Sequence, residues 1–261
     1  MAILDVTTQG AVARLTLNAP ERLNALSDEM LEALQTALDG FANDRQTRVI
    51  ILSGAGKAFC AGHDLRQMTE MRNGNDGGAA AFKDLFDRCT AVMARIQSMP
   101  QVVIAQVHGI ATAAGCQLVA TCDLAVAAEG TRFGVNGVNI GLFCSTPMVA
   151  LSRNVPRKQA FEMLTTGDFI PAGRAAELGL INRVVPADEL SVETTTLAAK
   201  IAAKLGVAVA FGKSAFYEQL QMTTAQAYAF TGDVMVQNML HDDTAEGIAA
   251  FLEKRDPDWQ Q

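Results

Sequence analysis

Apolar and polar residues alternate at the start of the chain. Ile3, Asp5 and Thr7 precede a turn at Gln9-Gly10, and Val12, Arg14 and Thr16 follow it. A period of two predicts a hairpin of two half-buried strands. The period then lengthens. Leu31, Leu34, Leu38 and Phe41 recur at helical spacing behind Ser27, whose hydroxyl can accept a hydrogen bond from a free N–H of the first turn. Residues 48–52 read as a strand that ends on Ser53-Gly54-Ala55-Gly56. After the polar, Gly-rich stretch 73–78, a helix runs to about Ser98. Strands follow at 102–107, 124–127 and 181–185, with a helix of small residues from 113 to 122 after the first. Strands alternating with helices predict an α/β fold.

Beyond Pro186 the pattern changes. Residues 190–205, 211–220 and 225–255 are helical in period and carry almost no strand signal. This places an α/β core in residues 1–190 and a helical C-terminal subdomain in residues 191–261. No internal repeat is visible in the sequence.

With 261 residues, 49% hydrophobic and 19% charged, the chain is too apolar for disorder and long enough for a large domain. The formal charge of −7 argues against nucleic acid and anionic membrane surfaces as partners. Five cysteines (Cys60, Cys89, Cys116, Cys122, Cys144) make an odd number without a CxxC, which argues against a disulfide framework or a metal site. The first residues carry no basic or Arg/Ser-rich leader pattern, so the expected location is cytoplasmic. The apolar stretch 102–128 contains His108, Gln117 and Asp123 and changes period midway, which argues against a membrane span.

Two segments carry candidate chemistry. Ser53-Gly54-Ala55-Gly56-Lys57-Ala58-Phe59 resembles nucleotide-binding loops only superficially. Phe59 stands where a dinucleotide fingerprint needs its third glycine, and Ala58 where a P-loop needs Ser or Thr. The next stretch, 58–65, is a loop of small residues leading into a helix, and 109–118 is a second one. Backbone N–H groups at such places can face a ligand, and two of them converging would form an oxyanion hole. Tight helix packing explains the same composition.

The chain resembles the crotonase, or enoyl-CoA hydratase/isomerase, superfamily along nearly its whole length. The stretches that carry the resemblance are 20–26, 57–65, 109–123, 133–142, 167–181 with Leu178-Gly179-Leu180-Ile181, Val184-Val185-Pro186 and 246–251. Residues 137–147 resemble a hydratase-domain subgroup most closely. The resemblance implies a spiral of ββα units with a C-terminal helical trimerisation subdomain, assembled as a homotrimer or as a hexamer of paired trimers. It implies an acyl-CoA thioester as ligand, with CoA entering as part of the substrate and no separate cofactor.

Carried over by position, the backbone donors to the thioester carbonyl are His63 and Ala114. The resemblance puts Arg22, Lys57 and Arg66 near the CoA phosphates, with Lys254 or Arg255 reaching in from a neighbouring subunit. Leu23, Ala25, Leu65 and Leu142 would line the pantetheine and acyl channel, bordered by Ala61, Asp64 and Ala113. At the two positions where hydratases of this superfamily carry glutamates, this chain has Gln117 and Gly137, and Asn139 stands where related isomerases carry an acid. A carboxamide takes no proton near neutral pH and glycine has no side chain, so two-glutamate hydration is expected to be severely impaired. Installing glutamate at both positions is expected to raise turnover.

Three functional readings follow: a family enzyme with atypical hydratase chemistry, a thioester hydrolase using Cys144, Ser145 or His63, and a non-enzymatic acyl-CoA-binding protein. His108 and His241 are expected to be structural. Asp123 and Ser145 are expected to cap local backbone, and Cys144 to pack.

Overall fold

The computed structural model describes residues 2–260. The predicted hairpin is β1 (Leu4–Gln9) and β2 (Val12–Leu17), antiparallel, with Ala13, Leu15 and Leu17 buried between the half-exposed Val12, Arg14 and Thr16. Ser27 caps α1 (Asp28–Ala42) by accepting from the Met30 N–H, and Leu31, Leu34 and Leu38 are buried at the predicted spacing. The strands β3 (Val49–Gly54), β4 (Val102–Val107), β6 (Leu124–Ala128) and β9 (Arg183–Val185) add to β2 in parallel, giving the order β1-β2-β3-β4-β6-β9.

The inner strands are near-continuous apolar runs because both faces of the sheet are covered. Ile50, Leu52, Val103 and Ala105 pack with Leu31, Leu34, Val92 and Ile96, the last two on α3 (Ala79–Ser98). Val49, Ile51, Val102, Ile104 and Val126 pack on the other face with Leu190, Leu197, Ala198 and Ala202 of α8 (Leu190–Ala202). The first helix beyond residue 190 is therefore a layer of the sheet's own core.

A second, smaller sheet runs β5 (Ile110–Thr112), β7 (Arg132–Gly134), β8 (Ile170–Pro171). It is extended by isolated parallel bridges, Cys60 to Ala111 and Leu26 to His63. Each successive turn of the chain thus passes from the large sheet through a short paired stretch and into a helix. β3 leads through Cys60 to α2 (Leu65–Met71), β4 through β5 to α4 (Ala114–Thr121), and β6 through β7 towards α5 (Pro147–Asn154). This is a spiral of ββα turns, repeated in backbone pairing without a repeat in sequence. The chain continues through α6 (Arg157–Thr166) and α7 (Ala172–Glu177).

The C-terminal helices are α8, α9 (Gly206–Gln219), α10 (Thr224–Met239) and α11 (Asp242–Glu253). The long helical stretch read over 225–255 breaks at His241, which caps α11 as its Nδ1 accepts from the Asp243 N–H. α10 buries no residue within the chain, and Tyr228, Met235, Val236, Leu240, Phe251 and Leu252 are exposed. Among the described residues no single helix is long and apolar enough to cross a membrane.

Asp123 does more than cap. Its carboxylate accepts from the Val103 N–H (2.7 Å), Lys213 Nζ (2.7 Å) and the Tyr217 hydroxyl (2.8 Å), tying α9 to the start of β4. Sequence distance hid these partners. Ser145 likewise caps nothing; its hydroxyl donates to the Phe143 carbonyl at 3.4 Å, and Thr146 precedes α5 without a side-chain cap.

Candidate active site

The register of the small sheet sets the site. Cys60 is paired with Ala111, and three residues further along each strand lie His63 and Ala114. They occupy equivalent positions in two adjacent turns of the spiral, each at the entry to a helix. Gly62 permits the close approach: its φ is +91°, and a Cβ there would stand 2.9 Å from Ala113 Cβ and 3.3 Å from the Ala114 nitrogen. Ala113 has φ 50° and ψ −120°, a conformation L residues rarely adopt, held by its N–H donating to the Gly134 carbonyl at 2.9 Å.

Ala114 opens α4, so its N–H has no acceptor inside the helix. Among the described residues neither that N–H nor the N–H of His63 donates to a protein acceptor. The positive end of the α4 dipole adds to the same spot.

The loop carrying His63 is held by Asn24, which the sequence reading did not single out. Fully buried, Asn24 accepts from the Ala19 N–H and donates to the carbonyls of Ala55 and Ala58, both at 2.8 Å. Its place in the 20–26 stretch that carries the family resemblance is the signal the sequence offers. Leu26 N–H then donates to the Gly62 carbonyl at 2.7 Å, and Ala61 N–H to that of Leu23 at 3.0 Å.

The His63 imidazole turns towards the helices. Its ring lies edge-on to Phe86 at 5.6 Å, and Nδ1 faces the Leu26 carbonyl at 3.4 Å; a carbonyl only accepts, so Nδ1 carries the proton. Nε2 is buried without a partner. Burial holds the pKa of His63 below its ordinary value, against the pull of the Leu26 carbonyl and Asp28. A histidine that is harder to protonate when folded lets the unfolded chain bind more protons, so stability falls as pH drops through 6.5 towards the folded pKa. Denaturant melts between pH 7.5 and 5 should show His63→Gln flattening that loss; an unchanged slope would place the acid sensitivity elsewhere.

Gln117 lies one turn along α4 from Ala114 and is 6% exposed. Its Oε1 is buried without a hydrogen-bond partner. Gly137 is also buried, and a Cβ there would meet the Leu142 carbonyl oxygen at 2.2 Å and Cys144 Sγ at 2.9 Å. Contrary to the expectation from sequence, glutamates at 117 and 137 together do not fit the site as it stands, because a side chain at 137 requires the 137–142 turn to open.

The five cysteines are buried and unpaired. Burial pushes the Cys144 thiol up, and among the described residues no hydrogen bond joins Cys144 or Ser145 to His63. Among the described residues Cys144 and Ser145 are thus not paired with His63 as an activated nucleophile. His108 Nε2 bonds the Gly56 carbonyl at 2.9 Å, a loop contact.

The remaining predicted residues divide. Asp64 caps α2, accepting from the N–H groups of Arg66 and Gln67, and lies 3.9 Å from Arg22. Leu23, Leu65 and Leu142 are exposed apolar side chains, and Ala25 is buried. Lys57 is exposed, and Lys254 ends α11 with a left-handed backbone and no ion pair among the described residues. Its neighbour Arg255 is engaged by Glu246 and Glu253.

Residues 7–261 match the family model described as enoyl-CoA hydratase/isomerase. The chain belongs to the enoyl-CoA hydratase/isomerase family. A crystal structure of an enoyl-CoA hydratase from Mycobacterium smegmatis is 52% identical, with a TM-score of 0.95 over 99% of each chain. Enoyl-CoA hydratase domain-containing protein 3, mitochondrial, of Xenopus laevis is 46% identical over 95% of this chain and 83% of its own. The short-chain-enoyl-CoA hydratase of Clostridium acetobutylicum is 33% identical over 95% of this chain and 93% of its own. The fold is thus the crotonase spiral followed by C-terminal helices, in the subgroup of the hydratase-domain proteins. The expected cytoplasmic location is corrected by these names, since the vertebrate relatives are called mitochondrial.

Proposed function

We propose that this member of the enoyl-CoA hydratase/isomerase family binds an acyl-CoA thioester, whose carbonyl oxygen accepts hydrogen bonds from the N–H groups of His63 and Ala114. The observation that carries the reading is their equivalence in register, which leaves two unengaged donors side by side at a strained helix entry. Such donors are most useful where charge develops on an oxygen, and one of them is worth about 10²–10³ in rate. Arg22 and Lys57 supply cations for the phosphates, and Leu23, Leu65 and Leu142 apolar surface for the pantetheine and acyl chain.

The chemistry on that carbonyl is weak or atypical as hydration. Water addition needs a base and an acid, each worth on the order of 10²–10⁴. Gln117 supplies neither, and the packing around Gly137 leaves no room for a carboxylate. No metal or separate cofactor enters this reading. The exposed apolar faces of α10 and α11 support assembly into a homotrimer or a pair of trimers, since surface of that kind is seldom left in water.

The test is thermal unfolding with a saturating short acyl-CoA against free pantetheine, alongside hydration of crotonyl-CoA with free CoA measured in the same samples. The thioester should raise the Tm by several degrees and pantetheine much less, as binding to the native state alone requires. Equal shifts, or none, would overturn the carbonyl site. Hydration is expected orders of magnitude below that of a two-glutamate hydratase, and robust turnover would overturn the reading of Gln117 and Gly137.

A further inference from the structure

A cavity of about 530 Å³ opens at the edge of the large sheet opposite the candidate active site. Parallel strands share their starting edge, and there β4, β6 and β9 begin with Val102, Leu124 and Arg183, all three lining the cavity. At its far end β4 leads into β5 and the Ala114 turn, so the length of β4, about 17 Å, separates the two edges. Above the starting edge, α8 ends at Ala202 and α9 begins at Gly206, turned by 102°. The cavity occupies the crook between them.

Helical spacing builds its walls. Leu197 and Ile201 stand one turn apart on α8, and Val209, Gly212 and Phe216 follow one another at three and four positions along α9. Val102 and Leu197 are buried, but Leu124, Ile201 and Val209 are only half-buried and Phe216 is 57% exposed. The chain itself leaves this apolar wall unfilled. Gly212 widens the opening: it sits inside α9, where glycine is a poor helix former, and an added Cβ would meet nothing within 4 Å.

The charges at the cavity differ in whether they are already engaged. The Asp123 carboxylate is taken up by the Val103 N–H, Lys213 Nζ and the Tyr217 hydroxyl. Arg183 is held by Glu193. Lys200 and Lys204 have no ion pair and no side-chain hydrogen bond among the described residues. Two unengaged ammonium groups therefore border an apolar cavity on a chain whose formal charge is −7. Such a local reversal of sign draws anions to that spot. The apolar walls restrict which anions fit, since a polyphosphate would press most of its charge against Ile201, Val209 and Phe216 without a partner. One anionic head on an apolar body satisfies both features, and the volume is in the range of small-molecule sites.

We infer that this cavity is a second ligand site, for an amphipathic carboxylate of the fatty-acid type. The carboxylate pairs with Lys200 and Lys204, and the chain lies along Ile201, Val209 and Phe216. The inference does not depend on the thioester reading of the other site.

The test is calorimetric titration at low salt with octanoate, 1-octanol and acetate, on the wild type and two variants. Octanoate should bind the wild type about tenfold more tightly than octanol, and acetate should not bind measurably. The double variant Lys200→Gln with Lys204→Gln should bring octanoate down to the octanol affinity and leave octanol unchanged. Gly212→Leu places a side chain in the cavity and should abolish binding of both, while its melting temperature stays at or above that of the wild type. Saturating butyryl-CoA should leave octanoate binding unaltered. Equal affinities for octanoate and octanol, no binding of octanoate, or binding that survives Gly212→Leu would each overturn the inference. Displacement of octanoate by butyryl-CoA would put the acid in the thioester site and overturn it as well. If Gly212→Leu does not fold, the lysine variant decides alone, and an unchanged octanoate affinity there overturns the inference.

Discussion

Replacing Lys213 with methionine will cost the fold about 3–5 kcal/mol, the scale of breaking a buried ion pair by removing one partner. Lys213 is 8% exposed, and its Nζ donates to the carbonyls of Ile96 (2.6 Å) and Gln101 (2.7 Å) and to Asp123 Oδ2 (2.7 Å). Burial holds the lysine pKa below its ordinary value, while the adjacent Asp123 carboxylate pulls it back up. Removing the ammonium leaves the carboxylate in place with only Val103 N–H and the Tyr217 hydroxyl, an under-compensated charge in a dry setting.

The pair also joins two parts of the molecule. Ile96 lies in the last turn of α3 and Gln101 just before β4, and Lys213 and Tyr217 belong to α9. Its loss should undock the C-terminal helices and lower the assembly state together with the Tm. Urea unfolding of the variant, with its mass followed by light scattering, checks both. A loss below about 1 kcal/mol would show that the pair is exchangeable, and Asp123→Asn in the Lys213→Met background should recover part of the stability if the lone carboxylate is the cause.

Gly62→Ala will fold and lose its affinity for acyl-CoA by about tenfold, on the scale of one lost backbone hydrogen bond. The substitution meets two penalties at once. The backbone sits at φ +91°, and the new methyl would lie 2.9 Å from Ala113 Cβ and 3.1 Å from the Thr112 carbonyl oxygen. Relief comes only by parting the turn that carries His63 from the turn that carries Ala114, which separates the two N–H groups. Gly130→Ala is the matched control. Its φ is +79° but nothing lies within 4 Å of the added carbon, so it carries backbone strain without the clash. Both variants should lose some stability, and only Gly62→Ala should lose affinity in a titration with butyryl-CoA. Similar affinities for the two would mean that the donors tolerate displacement, or that the thioester binds elsewhere.

Local rules made much of the fold legible. The hairpin, the Ser27 cap, the apolar stripe of α1 and the buried strands β3 and β4 all follow from spacing within a dozen residues. The break of the last helical stretch at His241 is not legible because the helical period continues on both sides of it. Asp123 reads as a local cap because its partner Lys213 lies 90 positions away. α8 reads as part of the C-terminal subdomain because a helical period does not say which sheet face it covers.

The candidate site divides along the same line. The sequence by itself determined the small-residue loops at 58–65 and 109–118, the glutamine at 117 and the glycine at 137, and through them the family to which the chain belongs. The resemblance named His63 and Ala114 together; tertiary structure alone supplied the pairing of Cys60 with Ala111 that sets them side by side. It also decided that the His63 ring faces Phe86, that Cys144 and the Leu142 carbonyl fill the space beside Gly137, and that Gln117 Oε1 has no partner. The reason is physical: propensity, capping and hydrophobic period act between neighbours in the chain, whereas the pairing of successive spiral turns is fixed by contacts between segments that no local pattern couples.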